Sequence, residues 1–121
     1  MRNILAAALL LMPLLGASVA HSHALLDHAE PGVGATAPTA PRELILVFTE
    51  RIEPVFSAVE VDDMAGNRVD QGKIWLDGKN AAIVHVPIKP IGAGTYKVIW
   101  HAVSVDTHRT EGSFTFSVAG P

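Results

Sequence analysis

Residues 94–103 read Gly-Thr-Tyr-Lys-Val-Ile-Trp-His-Ala-Val, and this stretch decides the fold class. From Tyr96 to Ala102 every second residue is apolar or aromatic, and Lys97 and His101 lie among the residues between them. This alternation is typical of a β-strand that buries one face, because successive side chains point to opposite sides of a sheet. The stretch therefore predicts a strand packed against a hydrophobic core.

The same period of two recurs on both sides of this strand. Asp-Gly in residues 77–80 separates the apolar runs 73–76 and 82–86, which predicts a hairpin. A short first strand is expected at residues 24–26, and composition predicts a turn at 62–67. The other alternating positions are Leu44, Leu46 and Phe48, then Val55, Ser57, Val59 and Val61, and finally Phe114, Phe116 and Val118.

About seven short strands with frequent turns predict an all-β, immunoglobulin-like (Greek-key) β-sandwich. A small barrel is the structural alternative. We expect Trp75 and Trp100 to pack in the core or between the sheets, since aromatic side chains favour such positions. His85 and His101 are expected to face outward from their strands.

The first 22 residues have the three parts of a secretory signal peptide: a positive start, an apolar run and a small-residue exit. Cleavage after Ser22 makes His23 the first residue, whereas cleavage after Ala20 makes His21 the first. The sequence thus predicts a signal peptide at 1–22, with cleavage after residue 20 as the alternative, and one domain at 23–121.

Composition excludes several classes of site. The chain contains no cysteine, which excludes zinc-thiolate sites, iron–sulfur clusters, blue-copper sites and thiol nucleophiles. The net charge is −3 and becomes −4 when Arg2 is removed with the signal, so nothing points to nucleic acid as a partner.

An N-terminal histidine combined with Asp106-Thr107-His108 suggests a metal site. A first-position histidine offers its α-amine and its imidazole. In an extended chain Asp106 and His108 would point to one side and add a carboxylate and a second imidazole. Such a nitrogen-rich set suits tetragonal Cu(II), with zinc as the competitor. The Asp-x-His spacing by itself is also common in exposed turns.

These segments resemble the periplasmic copper-resistance proteins of the CopC type. The resemblance starts at residues 23–26, continues through 46–50, and is strongest in 94–100, 103–108 and 112–116. It implies an immunoglobulin-like sandwich that binds copper in the periplasm and is not an enzyme. It also implies an inner-membrane partner of the CopD type, and we expect a monomer.

Carried over by position, the ligands of one Cu(II) per chain would be His23, Asp106 and His108. Glu50 matches a glutamate near the site in some members, although it could equally be a solvated strand-end residue. The family register favours cleavage before His23. With Met64 as the one methionine after the signal, a methionine-rich Cu(I) site is not expected.

Three alternatives stay open at the level of sequence. If His21 is the first residue, His21-Ser22-His23 could wrap Cu(II) without Asp106 and His108. A copper-dependent oxidative polysaccharide-cleaving enzyme would also use an N-terminal histidine, and a metal-free β-sandwich interaction module would use none of these residues. His28 could assist the site, but an exposed strand-end histidine is the simpler interpretation.

Overall fold

Eight β-strands in two four-stranded sheets make up the computed structural model, which describes residues 24–120. The strands are β1 (Leu26–Glu30), β2 (Thr36–Ala37), β3 (Glu43–Phe48), β4 (Ala58–Asp63), β5 (Trp75–Leu76), β6 (Ile83–Pro87), β7 (Gly94–Val103) and β8 (Arg109–Val118). The first sheet has the order β1-β3-β6-β5 and the second the order β2-β8-β7-β4. Within residues 24–120, no helix is long and apolar enough to cross a membrane.

The predicted all-β sandwich is confirmed, with eight strands in place of about seven. The difference lies in β2, a two-residue strand that pairs in parallel with the end of β8. The other neighbouring strands pair antiparallel, and β7 and β8 form the longest ladder, from Gly94 opposite Val118 to Val103 opposite Arg109.

The core lies between the two sheets and uses the alternating positions that the sequence predicts. The ring of Phe48 in the first sheet meets that of Trp100 in the second edge-on, with centroids 5.3 Å apart. The rings of Tyr96 and Phe116 stack at 5.5 Å across β7 and β8. Buried aliphatic side chains fill the space around them: Leu44, Leu46, Val59, Val61, Val84, Val86, Val98 and Val118.

The prediction that Val55 belongs to an alternating strand is wrong. Pro54–Phe56 form a 3₁₀ turn, and the Val55 side chain is 81% exposed. Proline has no N–H to donate to a sheet ladder and its φ suits the first turn of a helix, so the strand cannot start before this turn ends. The extended segment is therefore β4, which starts at Ala58.

The hairpin around residues 77–80 is confirmed, but its first strand has two residues, Trp75 and Leu76. The prediction that Trp75 packs in the core is wrong, because its side chain is 44% exposed and stacks on the ring of His85. Trp100 is buried as predicted. His85 faces outward but is largely covered, with 16% of its side chain exposed.

Candidate metal centre

The turn between β7 and β8 carries both chemically interesting residues, Asp106 and His108. Two backbone hydrogen bonds close it: the Ser104 N–H donates to the His108 carbonyl (3.0 Å), and the Thr107 N–H donates to the Ser104 carbonyl (2.8 Å). Thr107 has a φ of 72°, a left-handed conformation that β-branched residues rarely adopt. The turn thus places Asp106 and His108 on either side of one constrained residue.

Asp106 and His108 lie in contact, with Asp106 Oδ2 and His108 Nδ1 3.2 Å apart. Their side chains are 37% and 51% exposed, so the pair is open to solvent. The expected juxtaposition is present, but the extended backbone expected to produce it is not. The segment is a tight turn, and the turn brings the two side chains together.

The neighbours of Asp106 favour the ionised form of its carboxyl group. The Ser104 Oγ donates to Asp106 Oδ1, and this hydrogen bond lowers the pKa of the Asp106 carboxyl below its ordinary value. Desolvation opposes the shift, while His108 adds to it. The group is therefore a carboxylate at neutral pH, which is the form that binds a cation.

The segment that follows β3 joins the start of the described chain to this turn. Leu25 and Thr49 are held together by two hydrogen bonds, from the Leu25 N–H to Thr49 Oγ1 (2.9 Å) and from the Thr49 N–H to the Leu25 carbonyl (2.8 Å). Two residues later, the Arg51 carbonyl accepts from the Val105 N–H at 3.1 Å. The half-buried Glu50 lies between these two connections.

The first described residue is also anchored. Ala24 is buried, and its carbonyl accepts a hydrogen bond of 2.6 Å from the Thr110 hydroxyl, two residues beyond His108. The strand expected at 24–26 begins at Leu26. The Ala24 carbonyl and the Leu25 N–H bond to threonine side chains. The predicted ligands His21 and His23 lie outside the described residues.

Glu50 does not join Asp106 and His108 in a ligand cluster. In the part of the chain that the structure describes, no three His, Asp or Glu side chains are grouped closely enough to hold a metal ion. A metal site built on this pair would require a further ligand. That an N-terminal histidine supplies this ligand stays a prediction.

The remaining histidines have carboxylate neighbours of their own. His28 Nδ1 lies 2.7 Å from Asp27 Oδ2 on the exposed outer face of β1. His101 Nε2 is 3.6 Å from Glu111 Oε1 across β7 and β8. Both side chains face outward, as expected for His101 and for the simpler interpretation of His28.

Sequence reasoning missed the roles of three hydroxyl residues, Thr49, Ser104 and Thr110. Ser104 contacts Asp106, while Thr49 and Thr110 hold the first two described residues. The spacing Ser104-x-Asp106 was a usable signal, since a hydroxyl often bonds to a group two residues away in a turn. The two threonines act over 24 and 86 residues, and no local pattern could reveal them.

Known proteins are similar to this chain in sequence and in fold. Its relatives include copper resistance protein C of Xanthomonas campestris pv. juglandis, 33% identical over 125 residues that cover 97% of this chain and 96% of that protein. Copper transport protein CutJ of Bacillus subtilis is 31% identical over 98 residues, which cover 80% of this chain and 18% of CutJ. The crystal structure of PcoC, a methionine-rich copper resistance protein from Escherichia coli, gives a TM-score of 0.70 at 30% identity, covering 80% of this chain and 99% of PcoC.

The match to a family covers most of the molecule. Residues 26–119 match the CopC domain, a range that runs from the start of β1 to the end of the described sandwich and includes the β7–β8 turn. The chain belongs to the CopC family.

Proposed function

We propose that this chain is a periplasmic Cu(II)-binding protein of copper resistance, which carries or buffers one Cu(II) per chain and is not an enzyme. Its ligands would be the N-terminal histidine of the mature protein, Asp106 and His108. The observation that carries the proposal is the contact between Asp106 and His108 in a solvent-open turn of a chain that belongs to the CopC family. The copper resistance and copper transport names of its relatives support the choice of metal.

The separation of the pair suits a shared ion. Nitrogen and oxygen ligands lie ~2.0–2.2 Å from a bound divalent metal, so two atoms 3.2 Å apart can both reach one ion. Two ligands alone hold a metal weakly, and the described residues supply no third one. This shortage favours a donor that comes from outside residues 24–120.

The anchoring of Ala24 supports residue 23 as that donor. Consecutive Cα atoms are ~3.8 Å apart, so His23 starts within one residue of a carbonyl that is bonded to Thr110. Cleavage before His23 would free an α-amine next to an imidazole. Together with His108 and Asp106 these groups form the nitrogen-rich set that Cu(II) prefers. Cleavage after Ala20, with His21 first, is the competing possibility.

Glu50 is proposed as an auxiliary residue of the same site. Its backbone neighbours Thr49 and Arg51 bond to Leu25 and to Val105, so the residue lies between the start of the described chain and the turn. A carboxylate there could bind the metal or accept a hydrogen bond from a ligand. His28 is not proposed as a ligand, because its exposed side chain on β1 does not group with Asp106 and His108.

We also propose where the protein works and which kind of partner it has. The signal at residues 1–22 would direct the chain to the periplasm, where it would work as a monomer beside an inner-membrane protein of the CopD type. In CutJ a region similar to this chain makes up 18% of a longer copper transport protein, which supports a role beside further copper transport components.

The experiment compares the exported protein with a form that keeps one extra alanine before the mature histidine. Cu(II) affinity is measured by competition with a chelator of known strength, and intact mass gives the cleavage point and the stoichiometry. We expect tight 1:1 binding by the exported protein and a loss of at least ~100-fold on extension, because the amine is no longer beside the imidazole.

Variants of the turn complete the test. Asp106→Ala and His108→Ala should each weaken binding, whereas His101→Ala, which removes another exposed histidine, should leave it unchanged. Equal affinity of the extended and native forms would show that the amine is not a ligand. Unchanged binding by both turn variants would refute the site altogether.

A further inference from the structure

Ser104 contacts both members of the Asp106–His108 pair. Its hydroxyl donates to Asp106 Oδ1, and its N–H donates to the backbone carbonyl of His108. Its own carbonyl accepts from the Thr107 N–H. One residue therefore holds one candidate ligand through the side chain and the other through the backbone.

Ser104 is itself rigidly placed. It is fully buried, and it forms an antiparallel bridge with Ile52, which is also buried. The adjacent Val105 N–H bonds to the Arg51 carbonyl, so the segment after β3 supports the turn from one side. A donor fixed in this way can orient an exposed partner, since only the partner loses freedom when the hydrogen bond forms.

The hydrogen bond leaves the two carboxylate oxygens unequal. Oδ1 is occupied by the serine hydroxyl, whereas Oδ2 faces His108 Nδ1. We propose that Ser104 is a positioning residue of the copper site, which keeps Asp106 in one rotamer and presents Oδ2 as its single donor to Cu(II). This inference rests on the proposed function and adds a residue that does not touch the metal.

The competing explanation is purely structural, because a hydroxyl can stabilise a turn without any bearing on a ligand. The two explanations differ in what Ser104→Ala changes. If the hydroxyl is only structural, Ser104→Ala changes the free energy of unfolding and nothing else. If the hydroxyl positions Asp106, Ser104→Ala also changes the Cu(II) affinity and the spectrum of the bound ion. Without the hydroxyl, Asp106 samples other rotamers and can bind through either oxygen.

The test uses the exported protein with its native N-terminus. Ser104→Ala should bind Cu(II) ~10–100-fold more weakly in chelator competition, as is usual when a residue that orients a metal ligand is lost. Its Cu(II) electron paramagnetic resonance spectrum should also shift in g∥ and A∥. The matched control is Ser117→Ala, which removes a β8 hydroxyl bonded to Thr95 at the far end of the same ladder, and it should match wild type in both measurements.

A folded Ser104→Ala protein with wild-type affinity and an unchanged spectrum would overturn the inference. If the variant does not fold, the metal-free wild type decides: the Ser104 hydroxyl proton should be visible by NMR, protected from exchange and close to the Asp106 methylene protons. Its absence would also overturn the inference. Failure of the wild type to bind Cu(II) tightly would instead refute the proposed function, so the two failures are distinguishable.

Discussion

Asp70 shows how a single buried charge is accommodated in this small sandwich. Its side chain is 1% exposed and accepts hydrogen bonds from the Val61 N–H, the Gly72 N–H and the Arg68 guanidinium, at 2.8–2.9 Å. Burial alone raises the pKa of this carboxyl, but the Arg68 and backbone donors outweigh it and lower the pKa to about 2. The carboxylate thereby ties the loop after β4 to β4 itself.

The stability that Asp70 supplies should disappear in acid. Its folded pKa lies below its unfolded value of 3.8, so the contribution is present above about pH 4 and is lost as pH falls through about 2. We expect Asp70→Asn to lower the free energy of unfolding by about 2 kcal/mol at pH 6 and by little at pH 2. Urea unfolding at both pH values measures this.

Asp27→Asn serves as the control, because that carboxyl is 60% exposed and its exchange should change the free energy of unfolding by less than ~0.5 kcal/mol. A difference between wild type and Asp70→Asn that stays the same at pH 6 and pH 2 would contradict the assignment.

At the scale of elements, the β7–β8 ladder depends on a glycine. Gly112 lies opposite Trp100, and a Cβ built on Gly112 would be 2.5 Å from the indole ring. The ring thus occupies the space that a side chain at position 112 would need. The close approach of Trp100 to β8 is possible because Gly112 has no side chain.

Gly112→Ala should therefore destabilise the protein by about 1–3 kcal/mol through overpacking. The matched control is Gly78→Ala in the β5–β6 turn, where an added Cβ meets nothing within 4 Å. Thermal unfolding of the two variants checks the prediction, and near-ultraviolet circular dichroism reports the displaced indole. Equal melting temperatures for Gly112→Ala and wild type would contradict it.

The edge of the first sheet is held by His85. Its ring lies between Asp77 Oδ1 (3.0 Å from Nε2) and Glu43 Oε1 (3.1 Å from Nδ1), and it stacks on Trp75 of β5 at 5.9 Å. The hydrogen bond to Asp77, helped by Glu43, raises the pKa of His85 above its ordinary value in spite of desolvation. The charged imidazolium can donate to both carboxylates at once.

A raised folded pKa means that this contribution is complete below the unfolded value of about 6.5 and is lost as pH rises through the folded value. We expect His85→Gln to lower the free energy of unfolding by about 1–3 kcal/mol at pH 5.5 and by clearly less at pH 9. Urea unfolding gives both numbers, and the exposed His101→Gln is the control. If the loss in free energy of unfolding grew with pH, the neutral ring would be the stabilising form.

The sequence predicts best those strands in which the alternation of apolar residues comes only from the burial of one face. Phe48, Trp100 and Phe116 alternate with outward residues, so burial of one face accounts for their placement. Val55 and Trp75 fit the same pattern but are exposed, because a proline turn and a two-residue edge strand override it. The alternation of apolar residues along the chain cannot reveal these two effects.

The candidate site is predictable from sequence in part. Asp106 and His108 are close in the chain, and the turn between β7 and β8 brings them together. The hydroxyls of Thr49 and Thr110 act across the fold, so their contacts depend on tertiary structure that no spacing encodes.

At the scale of the whole molecule, the turn and its supports draw on both sheets. Ala24 and Thr49 belong to the β1–β3 side, whereas Thr110 and Asp106 belong to the β7–β8 side. Under the proposed function, a metal bound to residue 23 and the turn would connect the two sheets. Binding that is confined to the folded state stabilises the entire fold.

Cu(II) at 100 times its dissociation constant should therefore add about 2.7 kcal/mol to the free energy of unfolding. For a domain of this size that amounts to a rise in melting temperature of about 10–20 °C. Scanning calorimetry with and without Cu(II) measures the shift, and a double Asp106→Ala, His108→Ala variant should lose most of it. An equal shift in that variant would place the metal elsewhere.

The outer strands of the two sheets have a further consequence. β2 and β5 contain two residues each, and β1 has a register shift between Leu26 and His28. A free sheet edge is a template on which another copy can add a strand, and long regular edges lead to fibrils. The fourth outer strand, β4, has six residues, but Val61 and Asp62 pair with Val69 and Arg68 of the following loop, which occupies part of this edge. Addition of a second copy along these edges is therefore disfavoured.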